Sequence, residues 1–151
     1  MKATAQLRRE HASILRQATT LAGLANSRMT REVAEQACDC IFAIDTLLVG
    51  HLAYEDERLY PLLAQSAEPA VRDLASSCCE EMGGIRGAWV DYRDQWTVDR
   101  ILSEPDRFSG ATSGIVGALA IRIEREDSAL YPLLDQVLSL QARARRDACV
   151  A

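Results

Sequence analysis

Residues 51–63, HLAYEDERLYPLL, and residues 122–134, RIEREDSALYPLL, are two copies of one phrase set 71 positions apart. Glu55, Asp56, Leu59, Tyr60, Pro61, Leu62 and Leu63 fall on Glu126, Asp127, Leu130, Tyr131, Pro132, Leu133 and Leu134. The same shift lays Glu10 on Glu81, His11 on Met82 and Ile14 on Ile85. LYPLL alone could close any amphipathic helix, but a single offset running through two apolar-periodic segments points to a helical hairpin used twice, with approximate two-fold symmetry.

Apolar residues recur at helical spacing almost throughout, as in Leu7, Ile14, Leu21 and Leu24, and then Ile41, Ile44, Leu47, Leu48 and Leu52. No segment sustains strand alternation. Turn residues divide the chain into four long pieces. The first covers residues 3–25 and stops at Asn26; the second is capped by Thr30 and runs to about Ala64, with a kink or end at Pro61. Glu68 and Pro69 open the third, which continues past Trp89 and Trp96. The fourth starts between Pro105 and Thr112 and runs to about Leu138, its first half weakened, or closely approached by a neighbour, at Gly110, Gly114 and Gly117. Four such helices on short connections predict an all-α, antiparallel up-and-down four-helix bundle over residues 1–138, followed by a frayed tail over 139–151.

With 151 residues, 48% of them hydrophobic, the chain can bury one continuous core. A net charge of −5 without a basic block sets aside nucleic acid and anionic membrane surfaces as partners. The amino terminus lacks a signal-peptide pattern and no run reaches the roughly eighteen apolar residues of a membrane span, so a cytoplasmic location is the expectation. Cys38, Cys40, Cys78, Cys79 and Cys149 are an odd set without a disulfide or zinc spacing and read as reduced thiols, several of them buried.

His51 and Glu55, four apart, stand on one helical face at about 5–6 Å between Cβ atoms, a metal-ligand spacing. Arg122 and Glu126 repeat it with a guanidinium in place of imidazole. His11 lies near the start of the first helix and His51 near the end of the second, so in an antiparallel hairpin the two imidazoles are level. Met82, Arg122 and Glu126 come to the same layer from the third and fourth helices.

On REHASIL (9–15) and the two thirteen-residue copies, the chain resembles the hemerythrin-like family, the HHE cation-binding domain, over nearly its whole length. That resemblance implies a four-helix bundle holding two irons bridged by carboxylates. It assigns His11 and His51 to one iron and Glu55 and Glu126 to the bridges. It also expects histidine near 82 and at 122, where this chain has Met82 and Arg122; one turn either side of 82 stand Cys78 and Arg86. The ligand set is therefore degenerate, and one metal half-site with both bridging carboxylates survives. Arg122, permanently protonated and able to fork two hydrogen bonds, is placed to stand in for the absent second metal.

The metal ligands expected are His11, His51, Glu55 and Glu126, with Arg122 and Met82 filling the space of the second ion. Iron as a single ion is the first expectation; zinc or manganese suits the same donors, and a metal-free polar cluster is the alternative. The functional expectation is binding or sensing of iron, dioxygen, peroxide or a related redox species. Its rivals are a metal-free scaffold that regulates a protein partner, and a non-haem iron redox enzyme acting on oxygen or peroxide; no catalytic residue is identified, and a protein partner or a homodimer is an expected association on any of these readings. Tyr60 and Tyr131 are expected to pack at the bundle end with hydroxyls to water. Asp56, Glu57, Glu124 and Asp127 are expected on a solvated face, and Trp89 and Trp96 in the core or at an oligomer contact.

Overall fold

All four periodic pieces of the sequence are helical in the computed structural model of the protein, which describes residues 4–150 and contains no strand among them. Helix α1 (Ala5–Ala25) buries Ile14, Ala18, Leu21 and Ala25 on one face and stops at Asn26, whose N–H donates back to Ala22 O, while the Ser27 N–H donates to Leu24 O. Residue 3, from which the periodicity starts this helix, lies outside the described residues. Thr30 caps α2 (Arg31–Tyr54): its hydroxyl accepts the Val33 N–H at 3.2 Å, satisfying one of the free donors of the first turn.

Beyond Tyr54 the helix continues through a π-helical turn, Glu55–Leu59, into α3 (Tyr60–Ala64). Then follow α4 (Pro69–Met82), α5 (Ile85–Gln95), α6 (Val98–Ser103) and α7 (Pro105–Arg125), a second π turn at Glu126–Leu130, and α8 (Tyr131–Val150). The two π turns sit in the two copies of the repeated phrase at the same offset. In each, the tyrosine N–H reaches five residues back, Tyr60 to Glu55 O and Tyr131 to Glu126 O. Widening the ladder by one residue just ahead of Pro61 and Pro132 keeps the helix continuous where a proline in a regular α-helix would lose a bond and strike a carbonyl.

Several boundaries differ from the sequence expectation. The third piece breaks at Gly83 and Gly84 into α4 and α5, and Trp96 already lies beyond α5 in extended conformation. A Cβ on Gly83 would stand 2.6 Å from the Cys79 carbonyl oxygen, so the break needs glycine there. Of the two readings of Gly110, Gly114 and Gly117, the close approach is excluded: they lie within the unbroken α7, and a Cβ on any of them would meet nothing within 4 Å, so they act only through glycine's low helix propensity. The tail is helical rather than frayed, although every residue over 139–150 is exposed. Gly83→Ala is expected to destabilise by about 1–3 kcal/mol through overpacking, whereas Gly114→Ala is expected to stabilise by about 0.5–1 kcal/mol. Urea denaturation of the two variants checks both signs.

α1 runs antiparallel to α2, with Glu10 against His51 at one end and Gln17 against Cys40 further along. It is antiparallel to α7 as well, with Asn26 beside Ser109 and His11 beside Glu126. Leu21, Ile44, Leu48, Trp89, Ile101, Phe108 and Leu119 fill the interior. Trp89, Tyr92, Trp96 and Phe108 stack at the end where α5 stops and α7 starts, with Trp96 and Phe108 ring centroids 5.2 Å apart. Both tryptophans are thus core residues, Trp89 donating its indole N–H to Asp45 at 2.9 Å.

Contrary to the sequence expectation, the continuous helix Arg31–Ala64 is long and apolar enough to cross a membrane by length and composition, with a window of mean hydropathy 1.4. Ala34, Ala37, Ile41, Ile44, Leu48 and Leu52 turn that apolarity into the core. The five cysteines are free: Cys78 is buried, and burial pushes its thiol up, while its neighbour Cys79 is exposed.

Candidate metal centre

The end of the molecule opposite the aromatic stack carries a polar layer. α1 supplies His11, the last turn of α2 supplies His51, and the first residues of the two π turns supply Glu55 and Glu126. All four are buried, and each offers one ligand atom such that these atoms lie within 4.8 Å of one another. His51 Nε2 is 3.1 Å from Glu55 Oε1, and His11 Nε2 is 3.2 Å from Glu126 Oε2 and 3.6 Å from Glu55 Oε1. The i,i+4 spacing, the antiparallel level of the histidines and the offset of 71 thus bring the four expected ligands to one place.

Each imidazole is held from behind. His51 Nδ1 bonds Glu10 Oε2 at 2.6 Å, and His11 Nδ1 bonds Asp127 Oδ1 at 2.8 Å. A carboxylate on Nδ1 sets ring orientation and raises the basicity of Nε2, which is how histidine ligands to metals are commonly supported. Burial alone lowers the His11 pKa, but the carboxylates of Glu126, Glu55 and Asp127 outweigh it and raise it to about 10. His51 is likewise raised: burial opposes the shift, and Glu55 and Glu10 overcome it. For Glu55, burial pushes upward, yet the neighbouring His11 and His51 imidazoles and the Tyr131 hydroxyl hold it well below the usual carboxylate range.

The far side of the two glutamates belongs to Arg122. Its Nε donates to Glu126 Oε1 at 2.7 Å, and Nη2 donates to Glu55 Oε2 and Asp56 Oδ1, both at 2.9 Å. Nη1 reaches the Met82 carbonyl at 3.4 Å, so Met82 meets the layer through its backbone while its buried side chain adds apolar volume. Glu55 and Glu126 therefore bridge in the literal sense: one oxygen of each faces the histidines and the other faces the guanidinium.

Tyr60 and Tyr131 do not send their hydroxyls to water. Both are buried, and they cross between the two repeats: Tyr60 Oη donates to Glu126 Oε1 at 2.7 Å, and Tyr131 Oη donates to Glu55 Oε1. Asp56 and Asp127 are likewise partners of Arg122 and His11 rather than members of a solvated face, although each retains some exposure. These residues, and Glu10, were missed as parts of the site. A signal existed: the polar identities of the repeated phrase are Glu, Asp and Tyr, and all six such residues end in this layer.

Two buried polar atoms among the described residues of this layer make no aligned hydrogen bond, although each has a charged neighbour: His51 Nε2, 3.1 Å from Glu55 Oε1, and Glu126 Oε2, 3.2 Å from His11 Nε2. Both belong to the ligand cluster, and a cation among the four ligand atoms would satisfy both. Two imidazole nitrogens and two carboxylate oxygens are a donor set that suits iron(II), zinc or manganese. The residues present fit one ion there; on the other side the Arg122 guanidinium puts a cation where a second ion would need ligands.

The model of the hemerythrin HHE cation-binding domain matches residues 2–134. No curated protein and no solved structure matches the chain. The match covers most of the chain and both copies of the repeated phrase, so the protein belongs to the hemerythrin HHE cation-binding family.

Proposed function

We propose that this protein holds a single metal ion, iron foremost, at His11, His51, Glu55 and Glu126, and that it binds or senses iron, dioxygen or a related redox species. Arg122 takes the place of the second metal of the family's diiron site. The carrying observation is the pair of buried atoms that make no aligned hydrogen bond, His51 Nε2 and Glu126 Oε2, beside carboxylates whose other oxygens are already neutralised by Arg122. An iron ion held there supplies a one-electron couple and room for a small oxidant. This chain's residues orient the ligands, through Glu10 and Asp127, and keep the site dry. The helical rods α1, α2–α3, α4–α5 and α7–α8 form the up-and-down four-helix bundle of the family in this reading, as two hairpins related by the 71-residue repeat.

A second reading is favoured by the Arg122 network itself, which neutralises both glutamates without metal. On that reading the layer is an ion-pair cluster and the bundle regulates a protein partner. Metal content decides between them. Protein purified anaerobically after iron supplementation is expected to carry about one ion per chain by mass spectrometry, and His51→Ala to carry none, because each lost ligand costs a large part of the binding energy. Metal at the level of the His51→Ala protein in both samples sinks the metal-binding reading.

A further inference from the structure

Tyr60 and Tyr131 occupy equivalent positions of the repeat, yet their hydroxyls meet different surroundings. Tyr60 Oη lies on Glu126 Oε1, the oxygen that also takes Arg122 Nε, and the Tyr60 ring lies 5.5 Å from the guanidinium carbon. It serves the side where the charge of a metal is already replaced. Tyr131 Oη lies instead on Glu55 Oε1, the oxygen that faces the histidines, and 3.2 Å from His11 Nε2. Its ring stacks on His11 with centroids 5.1 Å apart and planes 10° from parallel, which fixes where the oxygen points. Tyr131 is fully buried, so that oxygen has no water to turn to.

We infer that Tyr131 is a fifth ligand of the ion, bound through its phenolate oxygen, while Tyr60 remains a hydrogen-bond donor to Glu126. The inference rests on the metal-binding reading above. A phenolate is a hard oxygen donor that iron(III) accepts, as the tyrosine-ligated haem proteins show. When the ion enters, its charge displaces the phenol proton, which leaves to solvent with those on the imidazoles; no electron moves in this step. The Glu55 contact that the hydroxyl gives up is replaced by the ion between them. A phenolate also favours the ferric over the ferrous state, a property suited to a site that reports oxidation.

The test uses the full chain loaded with iron(III) nitrilotriacetate, desalted and assayed for iron. Phenolate bound to iron(III) gives a charge-transfer band in the visible region and phenolate ring modes in resonance Raman spectra excited within it. The expected result is retained iron with both signatures, lost in Tyr131→Phe and kept in Tyr60→Phe. Loss of iron together with the band in Tyr131→Phe, with both retained in Tyr60→Phe, also supports the assignment. Wild-type protein that keeps iron but shows no phenolate modes overturns it and leaves the metal site standing, and this arm does not depend on either variant folding. A band that survives in Tyr131→Phe overturns it equally. Wild-type protein that retains no iron overturns the ligand assignment and the metal-binding reading together.

Discussion

Arg122→Met is expected to lower the unfolding free energy of the metal-free protein by about 3–5 kcal/mol, the cost of breaking a buried ion pair by removing one partner. Four hydrogen bonds end on this side chain, two of them on Glu55 and Glu126, which are fully buried. Methionine has comparable length and fills the space, so the loss is that of charge rather than volume. The protonated imidazoles compensate part of the exposed negative charge, but from the opposite side of the carboxylates. Adding Glu126→Gln to Arg122→Met removes one of the stranded charges and is expected to recover at least about 1 kcal/mol, since contacting residues couple by amounts of that order. Urea denaturation of the three proteins measures this. A loss below about 1 kcal/mol for Arg122→Met would be that of a solvated surface pair and would remove the guanidinium from its role as the substitute cation.

Raising the pH is expected to destabilise the metal-free protein by several kcal/mol between about pH 6.5 and pH 10. His11 has a folded-state pKa of about 10 against an ordinary value of 6.5. A group raised in this way contributes its full stabilisation below the unfolded-state value and loses it as the pH climbs through the folded one. His51 is shifted in the same direction and adds to the slope. Glu55 acts oppositely: its lowered pKa contributes above the ordinary carboxylate value of 4.5 and is lost only in strong acid. The stability maximum set by these groups therefore falls between about pH 4.5 and 6.5. Bound metal requires neutral imidazoles, so affinity should increase with pH over the same range in which the metal-free protein weakens. Urea midpoints measured across that range, with and without metal, test both trends; a flat profile for the metal-free wild-type protein would contradict the pairing of His11 with its three carboxylates.

How much of the site could be read in advance depends on where each residue's partner lies. His51 with Glu55 and Arg122 with Glu126 are i,i+4 pairs, visible along one helix. His11 was placed level with His51 by the antiparallel turn. Tyr60 and Tyr131 were misread because a regular α-helix, at 3.6 residues per turn, puts a residue five positions on about 140° away from Glu55 or Glu126. The π turns absorb one residue each and bring both tyrosines back to the glutamate face. Glu10 and Asp127 escaped for a different reason. Each serves a histidine on another helix, Glu10 from α1 to His51 and Asp127 from the second π turn to His11.

The break at Gly83 and Gly84 shows the same limit in the fold. Helical spacing carries the third helix through this pair, and only the structure shows that the chain there brings the Cys79 carbonyl too close to Gly83 for any Cβ.

The sequence by itself determined that the chain is helical, that a thirteen-residue phrase occurs twice, and that His51 with Glu55 and Arg122 with Glu126 each share a helix face; a common layer with His11 was an expectation from an assumed antiparallel packing. Helical period and repeat offset are one-dimensional properties; they select a face, while the depth at which two helices meet depends on how they pack. Only the tertiary structure decided that the Arg122 fork spans carboxylates from both repeats, that two phenols cross between them, and that two ligand atoms are left facing one point without aligned hydrogen bonds. Those relations join atoms from α1, α2, α7, α8 and the π turns between them, and their hydrogen-bond geometry depends on packing distances and on a local widening of the helix that residue spacing does not encode.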